Sequence, residues 1–173
     1  MTPADIDFLI LATLSPDHHF PGTACYLQPK LGTGPIGCLD VRNQCTGFLY
    51  ALTVADGLIR WGTYRNILVV GSEVHRSALD FSDRGRDVTV LFGDAAALVL
   101  STSPSSERGV LYTELHADGR FARALCMDIW DISNHTFPNR RRPAQTFGLK
   151  WTAKRFSSMR SPACAKSSST PWT

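Results

Sequence analysis

The sequence predicts an α/β fold in which a mainly parallel sheet is covered by helices. Short apolar runs of strand length alternate along the chain with longer segments in which apolar residues recur at helical spacing. The apolar runs are unbroken, which is typical of strands buried on both faces of a layered sheet. With 173 residues and 43% hydrophobic residues, the chain is long and apolar enough to build one such core.

Three strands are predicted in the first half of the chain. Residues 7–12 (DFLILA) and residues 36–41 (IGCLDV) are short apolar stretches of the kind found in buried strands. Residues 66–72 (NILVVGS) form an unbroken β-branched run, which favours a central strand.

Two helices are predicted between these strands. Residues 22–31 are followed by Gly32 and Gly34, and glycine commonly ends a helix in the left-handed conformation. In residues 46–61 the apolar side chains recur every three to four positions, the spacing of one buried helix face. This second helix is predicted to end near Gly62.

Three further strands are predicted downstream. Residues 88–92 and 96–100 are apolar runs joined by a turn at Gly93 and Asp94, and residues 110–116 form a third candidate. Together with the upstream elements they would extend the layered sheet.

The distribution of charge divides the chain in two. Residues 1–131 hold ten basic and fifteen acidic residues, a net charge of −5, whereas residues 132–173 hold eight basic residues and no acid, a net charge of +8. We therefore predict a folded body over residues 1–131 and an irregular basic tail over residues 132–173. A basic tail is also a feature of nucleic-acid-binding proteins, but the acidic body argues against nucleic acid as a partner.

Composition also restricts the location and the kinds of site. No apolar run reaches the length of a membrane helix, and the N-terminus has neither a basic region nor an apolar signal core, so a cytoplasmic protein without membrane attachment is expected. The odd number of cysteines and the lack of CxxC or Cys/His spacing predict no disulfide framework and no metal site. No cofactor is expected either. The five cysteines are Cys25, Cys38, Cys45, Cys126 and Cys164.

Cys45 is the cysteine whose position suggests chemistry. It lies in residues 40–48 (DVRNQCTGF), where a predicted strand gives way to the long apolar helix. The positive end of the helix dipole and unpaired backbone N–H groups at such a junction favour the thiolate, which is the nucleophilic form. Gly47 would leave room for a substrate beside the thiol. The alternative is a buried structural cysteine, the commoner role.

Four segments around this cysteine resemble, in order and spacing, the β-ketoacyl-acyl-carrier-protein synthase III family of thiolase-like condensing enzymes. The resemblance covers about residues 5–119 and corresponds to less than half of a family member. The segments are IDFLILATLSPDHHFPGTA at 6–24, DVRNQCTGFLYAL at 40–52, NILVVGSE at 66–73 and DFSDRGRDVTVLFGDAAALVL at 80–100.

The resemblance implies a partial thiolase-like fold and a specific reaction. Family members transfer an acyl group from coenzyme A to a cysteine, which Cys45 matches, and condense it with malonyl-acyl-carrier protein in fatty acid biosynthesis. The backbone N–H of this cysteine contributes to the oxyanion hole. Family members are homodimers, expected here through the sheet edge near residues 36–41. Phe20 matches a residue that reaches into the partner's acyl pocket; its alternative role is a packed turn residue.

The histidine and asparagine with which the family activates malonate have no matching segment here. This leaves three functional hypotheses: a ketosynthase III, a truncated non-catalytic fragment of one, or a related polyketide-type or hydroxymethylglutaryl-CoA-synthase-like condensing enzyme. The chain's histidines, which lie in other segments, are His18, His19, His75, His116 and His135.

The basic tail suggests a shifted reading frame. Residues 150–168 (KWTAKRFSSMRSPACAKSS) can be read, with allowed codons, from the last base of the Lys150 codon. This gives MDGKAVFQHAVARLRQVL, an amphipathic helix that resembles the next helix of the family. We therefore predict a frameshift between about residues 132 and 150.

Overall fold

The structure is a computed structural model, and two compact units make up the chain. One unit comprises Met1–Ser77 and Gly93–His116, and the other comprises Ala78–Phe92 and Ala117–Thr173. Apart from residues 150–151, the predicted tail lies outside the part that the structure describes, which is residues 1–18, 20–76, 79–102, 109–126 and 150–151.

A four-stranded mixed sheet forms the centre of the first unit. The strands stand in the order β2-β1-β3-β4; the first three are parallel, and β4 is antiparallel to β3. In register, Phe8 of β1 lies opposite Gly37 of β2 and Ile67 of β3. The strands are β1 (Phe8–Ala12), β2 (Gly37–Val41), β3 (Asn66–Glu73) and β4 (Ala95–Thr102).

Helices α1 (Thr23–Leu31) and α2 (Gly47–Arg60) cover opposite faces of this sheet. Because successive side chains of a strand point to opposite faces, β1 and β3 contribute to two cores. The core that includes Ala24 of α1 contains Leu9, Leu11, Leu68 and Val70, and the core under α2 contains Ile10, Ala12, Ile67 and Val69. The three upstream strands and both helices predicted from the sequence are thus confirmed to within two residues at each end, as is the layered α/β class.

The crossovers bring the functional loops to one end of the sheet. Helix α1 connects β1 to β2, and α2 returns the chain from β2 to β3 on the other side of β1. In such sheets, sites form beyond the carboxyl ends of the parallel strands, where connections leave towards opposite faces. The loops that follow β1, β2 and β3 all lie at that end.

The predicted strand at residues 88–92 is wrong. Residues Arg86–Thr89 form a short helix, α3, in which the N–H groups of Val88 and Thr89 both bond to the carbonyl of Gly85, at 3.0 and 2.9 Å. A five-residue apolar run does not by itself distinguish a strand from a helical turn. The downstream run at residues 96–100 lies within β4, as predicted.

The predicted strand at residues 110–116 is also wrong. No ladder partner for this segment exists among the residues that the structure describes. The carbonyl of Val110 instead accepts a hydrogen bond of 3.0 Å from Nη2 of Arg60 on α2. An extended segment becomes a strand only when another strand pairs with it, and the alternation of the sequence carries no information about that partner.

The described residues of the second unit form α3, short turns and a small strand pair. Strands β5 (Leu125–Cys126) and β6 (Lys150–Trp151) pair antiparallel, and Asp118 accepts the N–H of Arg120 at 3.1 Å to begin a 3-10 turn at Gly119–Phe121. None of the helices in the described ranges is long and apolar enough to span a membrane.

Asp80 organises the turn before α3. One carboxylate oxygen accepts the N–H and the hydroxyl of Ser82, at 3.0 and 2.6 Å, and the other accepts Nε and Nη2 of Arg84, at 2.9 and 2.8 Å. These bonds favour the charged form, so the Ser82 hydroxyl and the Arg84 guanidinium lower the pKa of Asp80 to about 2.

We expect Asp80 to remain ionised until the pH falls to about 2. Above the ordinary aspartate pKa, the Asp80 carboxylate contributes fully to the stability of the turn. This stabilisation is lost as the pH falls through the lowered pKa of Asp80 in the folded protein. The substitution Ser82→Ala removes the hydroxyl donor and is expected to return the midpoint towards the ordinary value. A carboxyl-carbon NMR titration measures both midpoints, and equal midpoints in the two proteins would contradict the assignment.

Candidate active site

Cys45 lies at the junction between β2 and α2. Strand β2 ends at Val41, and a single 3-10 turn over Gln44–Thr46 leads into the first residue of α2. The thiol-bearing residue is exposed at this position. The predicted location of Cys45 at a strand-to-helix junction is therefore confirmed, and it stands at the end of the sheet where the three loops meet.

The backbone before Cys45 makes an unusual turn. Gln44 has a φ of +45°, in the left-handed region that residues other than glycine seldom occupy. The carbonyl of Asn43 holds the turn by accepting the N–H and the hydroxyl of Thr46, at 3.2 and 3.0 Å. Such backbone strain is common at functional sites, but nothing in the identity of a glutamine residue signals it in the sequence.

Gly47 allows α2 to approach the sheet closely. It is buried, and a Cβ at this position would lie 3.5 Å from the Cβ of Ala12 and 4.0 Å from the carbonyl oxygen of Val41. The missing side chain therefore faces the ends of β1 and β2. This corrects the interpretation from the sequence that Gly47 leaves space for a substrate beside the thiol.

The backbone N–H of Cys45 is the second polar group that this junction presents. In the described part of the chain, no hydrogen bond has this N–H as its donor. A preorganised backbone donor beside a nucleophile is one half of an oxyanion hole, because negative charge develops on the carbonyl oxygen under attack. Cys45 thus combines an exposed thiol with a backbone N–H that has no acceptor among the described residues.

The other described cysteines differ from Cys45 in burial or in position. Burial, together with the nearby Cys25 and Asp40, raises the pKa of the Cys38 thiol and so lowers its thiolate fraction. Cys25 is also exposed and lies within the first turn of α1, but a loop, and not a strand, leads directly into that helix. Cys126 lies in the second unit, in β5. Cys45 alone among the four combines exposure with a strand-to-helix junction.

Phe20 projects from the loop between β1 and α1. Its side chain is 86% exposed, so it is not the packed turn residue considered above. Among the described residues, no ring contact or hydrogen bond joins Phe20 to Cys45 within the chain. The loop ends at the start of α1, where the N–H of Ala24 donates to both carboxylate oxygens of Asp40, at 3.2 and 3.3 Å.

A polar cluster that sequence reasoning missed holds the start of the same loop. Glu73, at the end of β3, accepts the N–H of Leu14 at 2.9 Å and the hydroxyl of Ser15 at 3.1 Å. Ser15 Oγ in turn accepts the N–H of Val74 at 2.8 Å. The sequence does contain a signal for this cluster. Glu73 follows the predicted buried strand of residues 66–72, and a charged side chain close to a buried core needs hydrogen-bond partners.

Two of the described histidines lie beside glutamates. Nε2 of His75 lies 3.6 Å from Oε2 of Glu73, and Nε2 of His116 lies 2.7 Å from Oε1 of Glu114. The N–H groups of Arg76 and His75 bond to the Asp94 carboxylate and lower the pKa of this group. Asp94 thereby ties the loop after β3 to the turn before β4.

A separate cleft of about 260 Å³ opens on the α1 side of the sheet. Its lining includes Ser15, Asp17, Tyr26 and Lys30, and Cys45 is not part of it. In the described ranges, no group of three or more His, Cys, Asp or Glu side chains could hold a metal ion.

Comparisons with known proteins point to one family. The family model of 3-oxoacyl-[acyl-carrier-protein] synthase III matches residues 39–119, which include Cys45. The chain is 47% identical over 129 residues to the β-ketoacyl-[acyl-carrier-protein] synthase III of Rhizorhabdus wittichii, covering 74% of this chain and 40% of that protein.

Two solved structures share the fold. The 3-oxoacyl-[acyl-carrier-protein] synthase III of Aquifex aeolicus matches with a TM-score of 0.72 and 31% identity, over 89% of this chain and 44% of that one. The priming β-ketosynthase of a polyketide biosynthetic pathway matches with a TM-score of 0.76 and 27% identity, over 90% and 44% respectively. The chain thus spans less than half the length of these relatives, and the predicted thiolase-like fold class is confirmed.

Proposed function

Because the chain belongs to the 3-oxoacyl-[acyl-carrier-protein] synthase III family, we propose that Cys45 accepts an acyl group from an acyl-coenzyme A. The acyl group is then condensed with malonyl-acyl-carrier protein in fatty acid biosynthesis. The observation that carries this proposal is the exposed Cys45, placed before α2 with an available backbone N–H. Since the chain spans 40% of its curated relative, the complete reaction is proposed for the whole protein to which this segment corresponds.

The acylation step uses groups that are present in the described residues. The Cys45 thiolate attacks the thioester carbonyl, and the negative charge that develops on the carbonyl oxygen is stabilised by the Cys45 N–H. The bond between the carbonyl carbon and the coenzyme A sulfur then breaks. Coenzyme A leaves as a thiolate and takes up the proton that the Cys45 thiol released.

The condensation step needs further groups. Loss of carbon dioxide from the malonyl group gives an enolate, whose carbon attacks the Cys45 thioester. The carbon–sulfur bond breaks, and Cys45 leaves as a thiolate that takes up a proton from water. Hydrogen-bond donors to the enolate oxygen assist this step, and the resemblance assigns them to a histidine and an asparagine without a counterpart here. Acylation is therefore the half-reaction that the described residues support most directly.

We propose a homodimer in the cytoplasm as the working form. Strand β2 lies at an edge of the sheet, so its outer side is open to pairing with a second copy. The exposed Phe20 would reach the acyl pocket of the partner and contact the acyl chain. No nucleic acid or membrane takes part in this proposal.

A polyketide-type priming ketosynthase is the second candidate function. It is supported by the TM-score of 0.76 with the priming β-ketosynthase, which is slightly above that with the Aquifex aeolicus enzyme. The two candidates share the acylation of Cys45 and differ in the acyl-coenzyme A that they prefer. Comparing acylation rates with acetyl-coenzyme A and with longer acyl-coenzyme A substrates distinguishes them.

The origin of the basic tail is tested at the level of DNA. If a single-base shift between codons 132 and 150 restores MDGKAVFQHAV and the family's histidine and asparagine segments follow, the condensation proposal belongs to the restored protein. A confirmed frame without these segments would favour the non-catalytic fragment, with Cys45 as an acylatable thiol only.

We expect one acyl group to be transferred to Cys45 when the purified chain is incubated with acetyl-coenzyme A. Peptide mass spectrometry locates the adduct. The substitution Cys45→Ser should abolish it, whereas the matched substitution Cys25→Ser, at another exposed cysteine, should leave it unchanged. An adduct that persists in the Cys45→Ser protein, or that is shared equally with Cys25, would refute the proposed nucleophile.

A further inference from the structure

The loop that carries Phe20 is held at its start by a carboxylate from another strand. Glu73 lies at the end of β3, and its two oxygens bond separately to the Leu14 N–H, at 2.9 Å, and to the Ser15 hydroxyl, at 3.1 Å. Because Ser15 Oγ also accepts the Val74 N–H at 2.8 Å, the loop is tied to β3 through both main chain and side chain. Hydrogen bonds to an ionised acceptor are stronger than those between neutral groups.

The end of the same loop is held by a second carboxylate. Asp40 of β2 accepts the Ala24 N–H, one of the amide groups that a helix start leaves without a helical partner. A Cβ at Gly22 would overlap the Asp40 carboxylate, so only glycine allows this close approach. The loop of residues 13–23 is thus fixed to β3 at one end and to β2 at the other.

Phe20, between these two anchors, has little packing of its own. Its side chain is 86% exposed, so burial within the chain contributes little to its position. The course of the backbone between residues 15 and 24 must therefore set where the ring lies. This makes the two anchoring carboxylates determinants of the position of Phe20, although neither belongs to the Cys45 junction.

We propose that Glu73 is a positioning residue: with Asp40 it fixes the loop of residues 13–23 and so sets which acyl chains Phe20 admits to the acyl pocket of the partner. The part that concerns acyl chains rests on the proposed function, whereas the anchoring of the loop does not. His75 is a neighbour of this anchor, with its Nε2 3.6 Å from Glu73 Oε2.

The anchoring is tested by hydrogen–deuterium exchange of the full chain. Glu73→Gln replaces one acceptor oxygen by an NH₂ group, which cannot accept the Ser15 hydroxyl. We expect exchange in the peptide that spans residues 13–24 to become about tenfold faster, and exchange in residues 66–70 of β3 to be unchanged. The matched control Glu114→Gln alters an exposed glutamate paired with His116 and should leave both regions unchanged. Unchanged exchange at residues 13–24 in the Glu73→Gln protein overturns the proposal.

The effect on acyl selectivity is tested with a double-mutant cycle. The ratio of Cys45 acylation rates with acetyl- and octanoyl-coenzyme A is measured for wild type, Glu73→Gln, Phe20→Ala and the double variant. If Glu73 acts through Phe20, the two single changes shift this ratio in the same direction and the double variant matches Phe20→Ala. Independent shifts that add in the double variant overturn the positioning role.

The two tests separate failure of this proposal from failure of the proposed function. If wild type forms no acyl adduct with either substrate, the acyl-transfer function of the chain fails and selectivity through Phe20 fails with it. The exchange experiment still decides, by itself, whether Glu73 anchors the loop.

Discussion

Replacing Gly47 by valine is expected to slow acylation of Cys45 about a hundredfold, because small displacements of reacting groups have large effects on rate. A Cβ at Gly47 would already lie 3.5 Å from the Cβ of Ala12, so the two further methyl groups of valine have no space against the ends of β1 and β2. The start of α2 must move away from the sheet, and the Cys45 thiol and N–H move with it. Overpacking of this kind also lowers the free energy of unfolding by about 1–3 kcal/mol.

Gly47→Ala is the matched control for this substitution. Its single Cβ would make ordinary van der Waals contacts at 3.5 and 4.0 Å, and Gly47 has a right-handed helical φ of −51° that alanine adopts without strain. We therefore expect an acylation rate close to that of wild type. The rates come from time courses of the acyl adduct by mass spectrometry, and stability comes from thermal unfolding followed by circular dichroism. Equal slowing of acylation by alanine and valine would contradict this explanation. It would support the interpretation from the sequence, in which Gly47 leaves space for the substrate beside the Cys45 thiol.

The elements around the sheet could be predicted because their apolar patterns match the surfaces that they bury. Strand β1 is buried on both faces, so it carries an unbroken apolar run, and α2 buries Ala51, Ala55 and Ile59 at helical spacing. The position of Cys45 followed from these two periodicities, since the cysteine stands where one changes to the other. Its chemical role, like that of Phe20, remains a prediction.

The elements that were predicted wrongly depend on information that a local pattern does not hold. Residues 88–92 contain apolar residues that suit a strand, yet Val90 and Leu91 are 78% and 52% exposed in the structure. The apolar character of residues 88–92 therefore did not predict whether their side chains are buried. Residues 110–116 suit a strand too, but a strand exists only where a partner strand lies beside it.

The features of the candidate site that escaped prediction arise from tertiary contacts. The positive φ of Gln44 results from the way in which β2 and α2 are joined, and glutamine has no preference for it. The bonds of Glu73 to Leu14 and Ser15 join residues almost sixty positions apart, which no spacing rule along the chain connects. Gly47 was recognised as important, but only the packing shows that its open side faces the sheet.

Leu9→Ala is expected to lower the free energy of unfolding by about 3 kcal/mol, the usual cost of a cavity left by a buried leucine. Leu9 is fully buried in the core on the α1 side, opposite Cys38 of β2 and Leu68 of β3. Because β1 is paired on both sides, its backbone cannot move into the cavity without breaking hydrogen bonds to a neighbour. Domains are stable by only about 5–15 kcal/mol, so the loss is a large part of the total.

Leu49→Ala provides the matched control, because the same atoms are removed from a side chain of α2 that is 55% exposed. Alanine is also a good helix former, so we expect a change within about 0.5 kcal/mol. Urea unfolding of the two variants and wild type measures the difference. If the two substitutions had equal effects, β1 would not be the centre of the folded core, and the junction that presents Cys45 would lack the rigid support that the sheet provides. A large loss for Leu9 alone would show that β1 lies at the centre of the folded core, as the described sheet requires.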